Sequence, residues 1–156
     1  MLKEILEALN TKVNYKFIKE NNNYNVNIIY KNEVIDINFI NYLPEVIDNL
    51  YEITFSRNDE ILTMDLHKNT FEILGIIKNI IIDFIKLYKP NAVFFSSSDN
   101  NSSRIKLYTR LANEISKFNY KNYRIDRDIP DKDIATFLIY KDDNILRKLQ
   151  NFYKNL

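Results

Sequence analysis

Apolar residues recur along the chain first at helical spacing and then at strand spacing. Leu2, Ile5, Leu6 and Leu9 fall on one helical face, after which the period drops to two. Val13, Tyr15 and Phe17 alternate with polar neighbours, as do Tyr24, Val26, Ile28 and Tyr30, and then Ile35, Ile37 and Phe39. Asn21–Asn23 and Lys31–Asn32 supply turns between these runs, so the pattern predicts an antiparallel meander with one wet face. Beyond the break at Leu43–Pro44, Tyr51, Ile53 and Phe55 followed by Leu62, Met64 and Leu66 predict a second hairpin around Ser56–Asp59.

Helical spacing returns from Asn69 to Lys89, where Ile73, Ile76, Ile77, Ile80, Ile81, Phe84, Ile85 and Tyr88 make an apolar face wide enough to need a sheet against it. Lys89–Pro90 ends that helix. Ala92–Phe95 is a short continuous apolar run, the mark of a strand buried on both faces, and Ser96–Ser103 is a polar loop rich in helix-capping residues. A helix from Ser102 to Phe118 is expected to bury Ile105, Tyr108, Leu111, Ala112 and Ile115. Strands around Tyr123–Ile125 and Ala135–Tyr140 lead to a closing amphipathic helix, capped near Asp142–Asn144, that uses Ile145, Leu146, Leu149 and Phe152. The whole predicts one α+β domain over residues 1–156. An antiparallel meander leads into a β-α-β-α-β unit, giving a mixed central sheet with helices on its faces and helix-connected strands that run parallel.

Composition narrows the chemistry. The chain has no Cys and one His, His67, which excludes disulfides, thiolate nucleophiles and multi-histidine metal centres, so no metal is expected. Gly75 is the single glycine, which excludes glycine-rich dinucleotide and P-loop motifs. It also transfers left-handed turn positions to Asn and Asp. The 23 Asn and 24 Ile match AT-rich codon usage. A net charge of +1 offers no global attraction to nucleic acid or anionic membrane. The N-terminus lacks a signal-peptide pattern and Ile76–Ile85 is too short and too interrupted to span a bilayer, so the expectation is a cytoplasmic protein without membrane contact.

The run Asn101-Ser102-Ser103-Arg104-Ile105-Lys106-Leu107-Tyr108-Thr109-Arg110-Leu111-Ala112 resembles the N-x-x-A-x-x-x-Y-x-x-x-G segment of GNAT acetyltransferases, whose order of elements is also similar to the one predicted. The resemblance implies acetyl-CoA as cofactor and Tyr108 as the general acid that protonates the departing thiolate. That family's R/Q-x-x-G-x-G/A pyrophosphate loop would fall on Glu72–Ile77, where Gly75 fits. Glu72 there puts a carboxylate against a polyphosphate, and Ile77 puts a branched side chain where the ligand must come closest.

Tyr51–Phe55, Asp65, Asn69, Ile82–Ile85, Asn91–Ser96 and the Arg104-Ile105-Lys106-Leu107-Tyr108 motif look like small proteins of unknown function common in phages and bacterial mobile elements. This second resemblance implies such an origin and no known activity.

The strand end and helix start carrying Ser98, Asn101, Ser102, Ser103 and Arg104 form the best ligand site, with Gly75 as a further candidate, because free N–H groups and the helix dipole favour an anion there. Asp99 works against that use. His67 is a lone candidate base. Asp126, Asp128, Asp131 and Asp133 lack metal-loop spacing and read as a solvated, charge-balanced turn. Lys117–Arg124 interleaves aromatics with cations, the one local pattern suited to nucleic acid. Taken together, the sequence favours a phage- or mobile-element-encoded binding protein without a cofactor or catalytic activity, with a host or phage protein as its partner and a host or defence-system macromolecule as its target. A divergent GNAT-like acyltransferase using acetyl-CoA is the alternative, and a nucleic-acid-binding protein the second.

Overall fold

The computed structural model describes residues 2–8, 11–58, 60–61, 70–97, 102–129 and 132–154. They form an α+β fold with a mixed sheet and helices, in two compact units: Met1–Ile40 with Ile53–Tyr88, and Asn41–Glu52 with Lys89–Leu156.

The first unit opens with α1 (Leu2–Ala8) and the meander β1 (Ile18–Glu20), β2 (Asn23–Tyr30) and β3 (Glu33–Asn41). β2 and β3 pair antiparallel in a register that sets Val26 opposite Ile37 and Ile28 opposite Ile35, so one face collects the buried apolar residues. The other face is wet: Asp36 accepts hydrogen bonds from the side-chain amides of Asn25 at 2.8 Å and Asn38 at 3.0 Å. β4 (Leu50–Arg57) gives its second half to this unit and folds back on β5 (Glu60–Ile61). The rest of the second predicted hairpin, Leu62–Leu66, lies outside the described residues. The long helix α2 (Thr70–Tyr88) buries the expected isoleucine face, and Phe84 stacks on Phe39 of β3 at 4.0 Å between ring centroids.

Val13–Phe17 departs from expectation. The alternation survives, with Val13, Tyr15 and Phe17 turned inward and Lys12, Asn14 and Lys16 outward, yet the segment joins no ladder. Pairing of β1 with β2 stops at Ile18 opposite Asn25. Phe17 packs instead among Phe39, Phe84 and Tyr88, and α2 holds the segment through the Asn79 amide, which donates to the Thr11 carbonyl at 2.8 Å. Aromatic packing against a helix has displaced a strand pairing that propensity alone favours.

In the second unit the first residues of β4, Leu50–Glu52, run parallel to β6 (Ala92–Ser97). β6 pairs antiparallel with β8 (Lys132–Tyr140), which pairs antiparallel with β7 (Lys121–Ile129). The parallel expectation therefore holds for β4 and β6. β6 and β7 also share a direction, but β8 lies between them, so no ladder joins them. Strands β7 and β8 extend through Asp126–Ile129 and from Lys132 onward, which replaces most of the turn expected there by hairpin. The sheet is covered on both faces. On one face Phe95 and Phe137 meet Tyr108 of α3 (Ser102–Ser116), a helix that also buries Leu111 and Ile115. Leu50, Ala92, Leu138 and Tyr140 meet Ile145 and Leu149 of α4 (Asp143–Lys154) on the other. Asp142 caps α4, its carboxylate accepting from the amides of Asn144 at 3.0 Å and Ile145 at 3.2 Å, a contact worth about 1 kcal/mol.

The shortage of glycine shows in the turns. Among the described residues eight non-glycine positions have positive φ, and five are Asn: Asn21, Asn32, Asn49, Asn58 and Asn119. Lys31, Leu43 and Lys89 take the same region without the side-chain help that Asn provides.

Candidate functional site

The β4–β6 ladder is short. Leu50, Tyr51 and Glu52 pair with Ala92, Val93 and Phe94, and no pair follows. β6 continues in its ladder with β8 to Ser97, which is buried, and α3 begins at Ser102. Ser98 and Asn101, which sequence places here, lie outside the described residues. Ser102, Ser103 and Arg104 form the first turn of α3, and their side chains also lie outside them.

Tyr108 sits in the second turn of α3 and is 3% exposed. Its ring stands edge-on to Phe95 at 5.7 Å and to Phe137 at 6.2 Å, while those two rings stack at 5.5 Å. The aromatic trio fixes the ring from two sides. Lys106 and Arg110, on the same helix, point to solvent.

Gly75 falls elsewhere than the resemblance places it. It is buried inside α2, five residues past the helix start at Thr70, where its amide belongs to the helical ladder rather than to a ligand loop. Glu72, in the first turn, accepts a hydrogen bond from the Tyr30 hydroxyl at 2.6 Å and from the Lys31 ammonium at 2.8 Å. Those bonds, Lys31's first, hold its carboxyl below the usual carboxylate range. Its charge is thus answered within the protein.

His67, Asp131 and the side chains of Asp128 and Asp133 lie outside the described residues, and Asp126 pairs with Arg124 at 2.7 Å. No cluster of three or more metal-binding side chains occurs among the described residues. Nor is any helix among them long and apolar enough to cross a membrane. In the Lys117–Arg124 stretch each cation has an acid beside it: Lys117 with Glu114 at 2.8 Å, Lys121 with Asp143 at 3.0 Å, and Arg124 with Asp126. A phosphate backbone there would compete with three internal pairs.

One feature of the first unit is absent from the sequence reading. A groove of about 570 Å³ is lined by Val13, Tyr15, Phe17, Asp83, Lys86 and Leu87. The Tyr15 hydroxyl donates to the Asp83 carboxylate, and burial, then that bond and charge, push its phenol above the ordinary value. Tyr15 and Asp83 stand 68 positions apart, so spacing carries no sign of the contact.

No family model matches the chain, and no curated protein matches it, so the phage likeness rests on its motif alone. Solved structures do match. The spermidine/spermine N-acetyltransferase of Vibrio cholerae aligns at a TM-score of 0.50 with 11% identity, covering 82% of this chain and 71% of that one. A spermidine N-acetyltransferase chimera from Vibrio cholerae aligns at 0.50 with 9% identity, covering 81% of this chain and 71% of that one. At such identities the likeness reaches the fold: the chain has a GNAT acetyltransferase-like α+β architecture.

Proposed function

We propose that this chain is a GNAT-type acyltransferase that carries an acyl group from acyl-coenzyme A to an amine, at the end of β6 and the start of α3. The observation that supports it most is the parallel β4–β6 ladder ending after Glu52 and Phe94 inside a GNAT-like fold. Coenzyme A carries an amide-rich arm whose own N–H and C=O groups can add to a strand edge. In the transfer the amine nitrogen forms a bond to the thioester carbonyl carbon as the C–S bond breaks. The amine nitrogen releases its proton to solvent, and the thiolate takes one from an acid that solvent then reprotonates, so no net proton is gained or lost. We assign the second proton to Tyr108, whose ring is held by Phe95 and Phe137 at the helix position matching the family's acid. Gly75 takes no part in this reading.

The test is binding first and turnover second. Acetyl-CoA at 100 times its Kd adds about 2.7 kcal/mol of stability. In a chain of this length that raises Tm by roughly 5–11 °C. The chain has no cysteine, so the coenzyme A thiol released on turnover is read without background. Spermidine and spermine, the substrates named for the similar structure, head the panel of amines. No Tm shift at saturating acetyl-CoA, together with no thiol release from any amine, overturns the proposal.

A further inference from the structure

We propose that β7 is a self-pairing edge through which two copies of this chain join antiparallel about a twofold axis at Ile125. Among the described residues β7 ends the strand order of its unit and pairs with β8 alone, which leaves its other side without a ladder partner among them. Ile129 and Lys132 are partners only three positions apart in sequence, so they must exchange both ladder bonds. Counting back by two, the N–H and C=O groups of Asn122, Arg124, Asp126 and Asp128 therefore point off the open edge. Those groups are spaced to accept another strand.

The side chains select the strand. Pairing centred on Ile125 sets Arg124 opposite Asp126 of the second copy, and Asp126 opposite Arg124 of the second copy. Within one chain Arg124 already donates to Asp126 at 2.7 Å, and both side chains are exposed. Pairing would close four charges of alternating sign into a ring on one face. On the other face Ile125 meets its own copy, and Tyr123, 42% exposed, lies diagonally across from it. Shifting the axis by one residue places Arg124 against Arg124, or Asp126 against Asp126, which is repulsive. Shifting it to Tyr123 leaves no pair of opposite charges. Edges that avoid association carry like charges or proline. Here the charges are mixed, in an order that complements itself, and the occupant that fits is a second copy.

Sedimentation of the full chain from low micromolar to submillimolar concentration tests this. The expected result is a dimer that weakens roughly tenfold or more on Arg124→Asp or on Asp126→Arg alone, each of which turns opposite-charge pairs into like-charge pairs. Combining the two exchanges restores it, because the swapped charges again complement each other. Circular dichroism of each single variant, expected to match the wild type, separates lost pairing from lost folding. A monomer throughout the range overturns the proposal, as does a dimer indifferent to both single reversals or a double exchange that stays monomeric.

Discussion

Replacing Tyr108 separates what its ring does from what its hydroxyl does. The side chain is 97% removed from solvent and contacts two further rings, so Tyr108→Ala deletes a large buried aromatic and opens a cavity beneath α3. Truncations of that size cost about 3–5 kcal/mol. For a chain of this length, at roughly 2–4 °C per kcal/mol, Tm should fall by about 6–20 °C. Tyr108→Phe keeps the ring and its edge-on contacts and removes the hydroxyl alone, so its cost should stay within about 1.5 kcal/mol. A positioned general acid contributes about 10²–10⁴-fold in rate. The Phe variant should therefore lose at least about 10²-fold in kcat with little change in KM for acetyl-CoA. Calorimetry on both variants and steady-state thiol release on the Phe variant check this. A cost below about 1 kcal/mol for the Ala variant refutes the packing argument. Unchanged kcat in the Phe variant refutes the assignment of the acid.

Phe84→Ala should cost about 3–5 kcal/mol, since Phe84 is fully buried among Phe17, Tyr24, Phe39 and Tyr88, whereas Leu87→Ala, three residues on and 64% exposed, should stay within about 0.5 kcal/mol; urea unfolding compares them. Glu72 predicts a pH effect with a definite sign. Its folded pKa lies below the ordinary 4.5, so its contribution is present above that value and is lost as pH falls through the folded pKa. The Tm gap between wild type and Glu72→Gln should be flat from pH 6 to pH 8 and close on acidification below about pH 4.5, as thermal scans across pH would show.

The sequence made local periodicity legible and left tethering hidden. Alternation located β2 and β3 and the inward face of each, and helical spacing located α2 with its isoleucine stripe and its stop before Pro90. It also placed Val13, Tyr15 and Phe17 inward, but whether such a segment pairs with a strand depends on partners such as Asn79 and Asp83 that are remote in sequence. The insertion of β8 between β6 and β7 was equally invisible, because periodicity fixes faces and not neighbours. Left-handed turns at Asn followed from the scarcity of glycine, while Lys31, Leu43 and Lys89 had no local signal. The candidate site was legible only as positions on regular elements. Tyr108 was located on its helix, and its contacts with Phe95 and Phe137 needed the register of β6 with β8 to appear. Gly75 matched a motif in one dimension, and the helix already formed around it removes the loop the motif requires.

The second unit is discontinuous, drawing Asn41–Glu52 from one stretch of chain and Lys89–Leu156 from another. During synthesis, Leu50–Glu52 emerges some forty residues before its partner Ala92–Phe94, and β6 then waits for a similar length before β8 appears. These are long loops to close before any contact rewards them, so the unit should be the slower of the two to complete. Nor can it be isolated by a single cut. A fragment beginning at Lys89 would lack Ile47 and Leu50 from the core against which α4 packs, and β6 would present a second open edge in their place.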